Sequence, residues 1–309
     1  MKTLVLRVFL SITLAAAALT ITRTQTNDEW TRPFTPVHII GNIYWVGTYD
    51  LSTYLITTPQ GHILINTGLA STVPEIKKSV EQLGFQMRDV KILTATHGHY
   101  DHAAGMADLK RMTGARLLVN ERDRDLFETG GKADFRFGNE PSARFEPVKV
   151  DGTFKDGETI ALGGTTLVAH LHAGHTRGAT TFTTTVSENG KTYRVAIANM
   201  GSINPGVTMK GMPGYPEIAQ DYARTFRAQK DLPVDVFLAS HASQFKLHES
   251  SSPATWSCAQ SLRQSEGVPR GSAAARAALP RTGRQGYGAL SACSSRVRQR
   301  SLVPSALAP

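Results

Sequence analysis

Four side chains able to bind a metal crowd into the six residues His97-Gly98-His99-Tyr100-Asp101-His102, directly after an apolar run at 90–96. Imidazole and carboxylate suit a borderline cation such as zinc. A surface loop rarely collects so dense a set behind a buried-type strand, so this stretch reads as a metal site that the rest of the chain must be folded around. Gly98 relieves crowding where the backbone turns. The spacing splits the donors into two sets, His97 and His99 toward one metal and Asp101 and His102 toward a neighbour.

Two further histidines extend the set. His175 follows a predicted strand at 165–172, and His241 follows one at 234–239. Each stands just past a strand end, as His97 does, so three loops at one sheet edge are expected to converge. The expected sets are His97, His99 and His175 for a first zinc, and Asp101, His102 and His241 for a second. Three protein ligands and an open position mark a catalytic rather than a structural zinc. His62, His170, His172 and His248 read as structural.

Between these points the chain alternates strands and helices. Strands are predicted at 42–48, 52–57, 62–67, 90–96, 159–162, 165–172, 180–186, 193–198 and 234–239. Helices are predicted at 72–83, with Ser71 or Thr72 as cap, Pro74 in the first turn and Gly84 at the end, at 106–112, and at 216–229, where Ile218, Tyr222 and Phe226 share a face. Residues 128–145 are Gly-, Arg- and Asn-rich and read as a long loop of the functional kind.

The strand, HxHxDH and helix unit, with His175 and His241 downstream, resembles the metallo-β-lactamase superfamily over residues 28–249. The resemblance implies an α/β fold, an αββα sandwich of two mixed β-sheets flanked by helices, with two zinc ions at one edge. Many reactions share that fold. Asn199 stands where other hydrolases of the superfamily carry a metal-bridging Asp, and residues 1–257 contain no Cys to bind the second zinc. The all-His/Asp pattern, residues 30–47 and the run His241-Ala242-Ser243-Gln244-Phe245 resemble class B, subclass 3. The implied activity is hydrolysis of the β-lactam amide bond by zinc-bound hydroxide, with Asp101 orienting the nucleophile and Ser202 and Asn204 holding the substrate carboxylate. The alternatives are another hydrolase of this fold, a lactonase or thioesterase, or a secreted zinc-binding protein impaired by its tail. The implied partner is a small-molecule β-lactam.

The net charge of +9 suggests a nucleic-acid partner only until it is located. Residues 250–309 hold eight Arg and a single acid, Glu266, so the body is nearly neutral and no nucleic-acid partner is expected. At the other end, Lys2 and Arg7, an apolar stretch at 8–21 and the alanines at 15–18 read as an export signal over residues 1–24. The apolar run is shorter than the roughly 20 residues of a spanning helix. Cleavage and a periplasmic or secreted protein without stable membrane insertion are therefore expected, against an uncleaved anchor. The domain proper is expected at 25–249.

The tail at 250–309 is Ser-, Ala- and Arg-rich, with Trp256 and Tyr287 its only aromatics and both cysteines, Cys258 and Cys293, within it. It reads either as a disordered tail or as translation in a shifted frame that has replaced a terminal amphipathic helix. With little to bury against the entropy of ordering, it is expected to lack packed structure. Hydrogen exchange should therefore find no protected amides across 255–300; protection there would overturn this expectation.

Overall fold

The computed structural model describes residues 28–249; the expected export signal, the tail and Cys258 and Cys293 lie outside the described residues. The strands are β1 (Val37–Ile40), β2 (Ile43–Trp45), β3 (Tyr54–Thr58), β4 (Gly61–Ile65), β5 (Val90–Thr94), β6 (Arg116–Asn120), β7 (Gly152–Phe154), β8 (Thr159–Leu162), β9 (Thr165–Leu171), β10 (Thr180–Glu188), β11 (Lys191–Ala198) and β12 (Val236–Ala239). The helices are α1 (Asp28–Thr31), α2 (Val73–Gln82), α3 (Tyr100–Ala103), α4 (Met106–Thr113), α5 (Arg124–Glu128) and α6 (Ile218–Asp231).

Among the described residues these strands form a sheet of seven, in chain order β1 to β7, and a sheet of five ordered β12-β11-β10-β9-β8. Both are mixed. β1 to β4 run antiparallel and β4 to β7 parallel, while β11 and β12 are parallel beside the antiparallel β8 to β11. The sheets face each other across one apolar layer, in which Trp45, Tyr54, Ile56, Ile63 and Ile65 meet Phe182, Val195, Ile197 and Leu238. The other face of the larger sheet is covered by α2 and α4 through Val73, Ile76, Val80, Met106 and Leu109. This is the sandwich of two mixed sheets and flanking helices expected from the sequence.

The local departures have local reasons. β1, β6 and β7 were not expected; they are only three to five residues long and carry little periodic signal. β4 stops at Ile65 because Asn66 turns into the left-handed region at φ 63°. Thr72 stands at the start of α2, but its hydroxyl donates back to Leu69 O at 2.8 Å and no side chain caps the helix. Gly84, at φ 85°, does follow the helix end. Ile218 and Tyr222 are buried as their spacing predicts, whereas Phe226 is 48% exposed.

A bar of buried polar groups ties the strand ends together where the sheets meet. Asn66 donates to Ser52 Oγ (3.2 Å) and accepts from Thr96 N (2.8 Å) and Thr96 Oγ1 (3.1 Å). Thr96 Oγ1 and Ser240 Oγ are 2.9 Å apart, and Ser52 Oγ donates to Ser240 O at 2.7 Å. Tyr54 adds a bond across the layer, its fully buried hydroxyl donating to Ala239 O at 2.7 Å. Removing that hydroxyl strands a buried acceptor, which costs about 1–3 kcal/mol. Tyr54→Phe should lower the unfolding free energy by about that amount in urea titration. An unchanged midpoint would show that the sheets do not depend on this bond.

Candidate metal centre

The loops after β5, β9 and β12 open at one edge of the sandwich and bring all six expected ligands together. His97, His99 and His175 form one group whose donor atoms lie within 4.8 Å of one another, and His97, Asp101 and His102 form another. His97 thus stands between two sets rather than in one alone. His241 closes the cluster, with its Nε2 3.5 Å from Asp101 Oδ2 and its ring centroid 4.9 Å from that of His102.

Three of the imidazoles are aimed by the atom bonded to the far side of the ring. His175 Nδ1 donates to Ser202 O at 2.8 Å, which leaves Nε2 as the free end. His99 Nε2 donates to Asp134 Oδ2 at 3.2 Å, which leaves Nδ1. Those two free ends face each other at 3.1 Å. Two lone pairs at that separation repel unless a cation lies between or beside them, either a proton on His99 or a metal ion. His241 Nδ1 donates to Asp50 Oδ2 at 2.9 Å, turning its Nε2 toward Asp101. Such carboxylate–histidine pairs fix the ring and raise its basicity toward a metal.

The electrostatics divide the set, with three rings held neutral and two drawn toward the charged form by carboxylates; at His99 burial opposes protonation but Asp134 raises the ring above its ordinary value. Burial, with neighbouring histidines, pushes His175 down to about 3, and burial holds His97 and His102 below their ordinary value, so these rings are neutral and ready to ligate. Burial alone would raise Asp101, but His102 and His241 hold it well below the usual carboxylate range, so it is anionic. Burial works against protonation of His241, yet Asp101 and Asp50 raise it to about 9. His97 Nε2 and both nitrogens of His102 are buried without a hydrogen-bond partner. Orphaned polar atoms of this kind are costly unless something else satisfies them. The donor set therefore fits a metal ion on its chemistry as well as its spacing.

The cluster floors a cleft of about 390 Å³. Ser202 and Asn204 line it, although Ser202 also supports His175 through its carbonyl. Several lining residues were not legible beforehand. Trp30 in α1 lies 5.9 Å from the His241 ring and 6.1 Å from Tyr100, and Phe137 sits edge-on to His99 at 5.2 Å. Asn199 and Met200 form another wall. Asp50, Asp123 and Asp134 were missed as well, because nothing near them in sequence marks a ligand.

The histidines read as structural lie away from the donor sets. His62 packs against Phe85, and His248 stacks on Tyr49 with centroids 3.7 Å apart. His170 and His172 bond to Thr183 and Thr181. Burial, with His170 nearby, lowers His172 to about 4. The unfolded chain therefore binds a proton below pH 6.5 that the folded one refuses until about pH 4, so stability contributed by neutral His172 is present above pH 6.5 and lost as pH falls. In metal-free protein, His172→Gln should lose about 2 kcal/mol less stability than the parent between pH 7 and 5. Parallel stability–pH curves for the two would rule this out.

The family described as the metallo-beta-lactamase superfamily matches residues 47–187. A solved β-lactamase from Chitinophaga pinensis is 43% identical, with a TM-score of 0.75, and the likeness covers 79% of this chain and 94% of that one. The class B3 di-zinc metallo-β-lactamase LRA-12 from an Alaskan soil metagenome is 41% identical with a TM-score of 0.75, covering 78% of this chain and 94% of that one. Among curated relatives, the hydroxyacylglutathione hydrolase GloC of Haemophilus influenzae is 31% identical over 116 residues, 37% of this chain and 53% of its own. The chain spans about half the length of the curated relatives it matches.

Proposed function

The chain belongs to the metallo-β-lactamase superfamily, and we propose that within it the protein is a di-zinc hydrolase of the β-lactam amide bond, acting on small-molecule antibiotics. The observation that carries this reading is the facing pair of imidazole lone pairs, His99 Nδ1 and His175 Nε2 at 3.1 Å, inside a buried cluster with an anionic Asp101. The likeness to the β-lactamases named above supplies the substrate class.

In this reading His97, His99 and His175 would hold one zinc, and Asp101, His102 and His241 would hold the other. The zinc ions would polarise the lactam carbonyl and bring the pKa of a water down toward neutrality. The protein's own part is orientation. Asp101, ionised and fixed between His102 and His241, accepts a hydrogen bond from the attacking water and sets its direction. Asp50 keeps His241 turned inward. Ser202 and Asn204, at the cleft wall, offer donors to the substrate carboxylate, while Trp30 and Phe137 cover apolar parts of the substrate and exclude water. Among the described residues no helix is long and apolar enough to cross a membrane. Export to the periplasm remains part of the proposal and rests on residues 1–24.

One observation favours a second reading. The hydroxyacylglutathione hydrolase match makes thioester hydrolysis the natural rival, although Asn199 stands where the sequence reading expects a metal-bridging Asp in such enzymes. Purified protein offered nitrocefin, a carbapenem, a glutathione thioester and an acyl-homoserine lactone distinguishes the two. β-Lactam turnover that a chelator abolishes and zinc restores is the expected result. Turnover of the thioester alone would replace this reading with the rival. Asp101→Ala should retain one tightly held zinc and lose at least about 100-fold in kcat, the scale of a lost acid–base or orienting group. Undiminished turnover in that variant would remove Asp101 from the mechanism.

A further inference from the structure

Asp123 is almost completely buried, lies between β6 and α5, and bonds to none of the six ligand side chains; its carboxylate nevertheless collects three hydrogen bonds from the two loops that carry His97, His99 and His175. Gly98 N donates to Oδ2 at 3.1 Å, Thr176 Oγ1 donates to the same oxygen at 2.6 Å, and Gly178 N donates to Oδ1 at 2.7 Å. Gly98 sits between His97 and His99, and Thr176 directly follows His175. One oxygen is therefore shared by the immediate neighbours of all three ligands.

The surroundings are shaped for this approach. A Cβ on Gly178 would lie 2.6 Å from Asp123 N and 2.8 Å from its Cγ, so only glycine lets that loop reach the carboxylate. A Cβ on Gly98 would lie 2.8 Å from Leu126 Cβ in α5, so the same short element also supports the other loop from below. The backbone bond from Thr180 N to Thr96 O, 2.7 Å, joins the roots of the two loops, and Asp123 joins their tips. The remaining ligands are anchored independently. His102 O accepts from Thr67 N and Thr67 Oγ1, and His241 is held by Asp50.

We propose that Asp123 is a positioning residue that sets the spacing of the His97, His99 and His175 half-site, leaving the Asp101, His102 and His241 half-site to other anchors. A carboxylate accepts only, so it can gather three donors without competing for them. Removing it frees each loop to relax by a fraction of an ångström, and the lone pairs of His99 and His175 lose the fixed 3.1 Å separation on which shared ligation depends. This inference rests on the reading of the cluster as a two-zinc site.

The test is zinc binding itself, measured on the full chain by stepwise competition with a chelator, beside the melting temperature of the metal-free form. The variants are Asp123→Ala and, because a buried carboxylate is a risk to folding, Thr176→Val, which removes one hydroxyl at constant shape. Thr176→Ser serves as the conservative partner. The parent is expected to hold two zinc ions. Both Asp123→Ala and Thr176→Val should weaken one of the two by about tenfold or more while the other keeps its affinity, and Thr176→Ser should restore the parent pattern. A purely structural role predicts a lower melting temperature with the ratio of the two affinities unchanged, and that result overturns the proposal, as does equal weakening of both sites. A parent that takes up no zinc overturns the two-zinc reading and this inference together. A parent holding two zinc ions, with variants indistinguishable from it, overturns this inference alone.

Discussion

Imidazole rings buried with their lone pairs turned toward one another are stable only when positive charge lies among them. That condition governs this molecule's sheet edge. His99 Nδ1 and His175 Nε2 face each other, His97 Nε2 has no hydrogen-bond partner, and Asp101 is held as an anion 3.2 Å from His102 Nε2. Left to itself the arrangement would repel or protonate, and the surrounding structure prevents it from relaxing. His175, His99 and His241 are fixed from behind, by a carbonyl at Ser202 and carboxylates at Asp134 and Asp50, so their rotation cannot relieve the strain without breaking another buried bond.

The fold supplies the rigidity this requires. Close-packed apolar side chains fill the space between the sheets, and the polar bar of Ser52, Asn66, Thr96 and Ser240 fixes where the strands end relative to one another. Thr96 belongs to this bar and precedes His97; Ser240 belongs to it and precedes His241. The network that closes the sandwich thus also sets the origin of two ligand loops. Cost and use coincide here, because polar groups buried at the seam are satisfied by one another and transmit position to the site.

The two halves of the site are braced differently. Around His97, His99 and His175 the bracing is collective, through the backbone of two loops. Around the other three, Thr67 holds the His102 carbonyl, Asp50 holds His241, and Asp101 lies between those two rings. The cleft above is equally composite, drawing Trp30 from the start of the described chain, Phe137 from the glycine-rich loop and Ser202 and Asn204 from the segment after β11. Substrate preference can therefore vary through these walls while the floor stays unchanged.

What the sequence by itself determined was the part written within a few residues: the HxHxDH cluster after an apolar strand, the two later histidines past strand ends, and the alternation of strands and helices that implies layered sheets. These are legible because ligand identity is a side-chain property and strand periodicity repeats every two residues. β1, β6 and β7 escaped because three to five residues hold little of that period and nothing beside them in sequence marks a strand. Only the tertiary structure decided which carboxylates support which imidazoles. Asp50 reaches His241 across 191 residues and Asp134 reaches His99 across 35, while Asp123 joins loops that lie 25 and 53 residues away. In sequence each of these is an acid in a turn, where Asp is common for its own local hydrogen bonding. What distinguishes them is burial beside a donor with no other partner, and that exists only once the two sheets have closed.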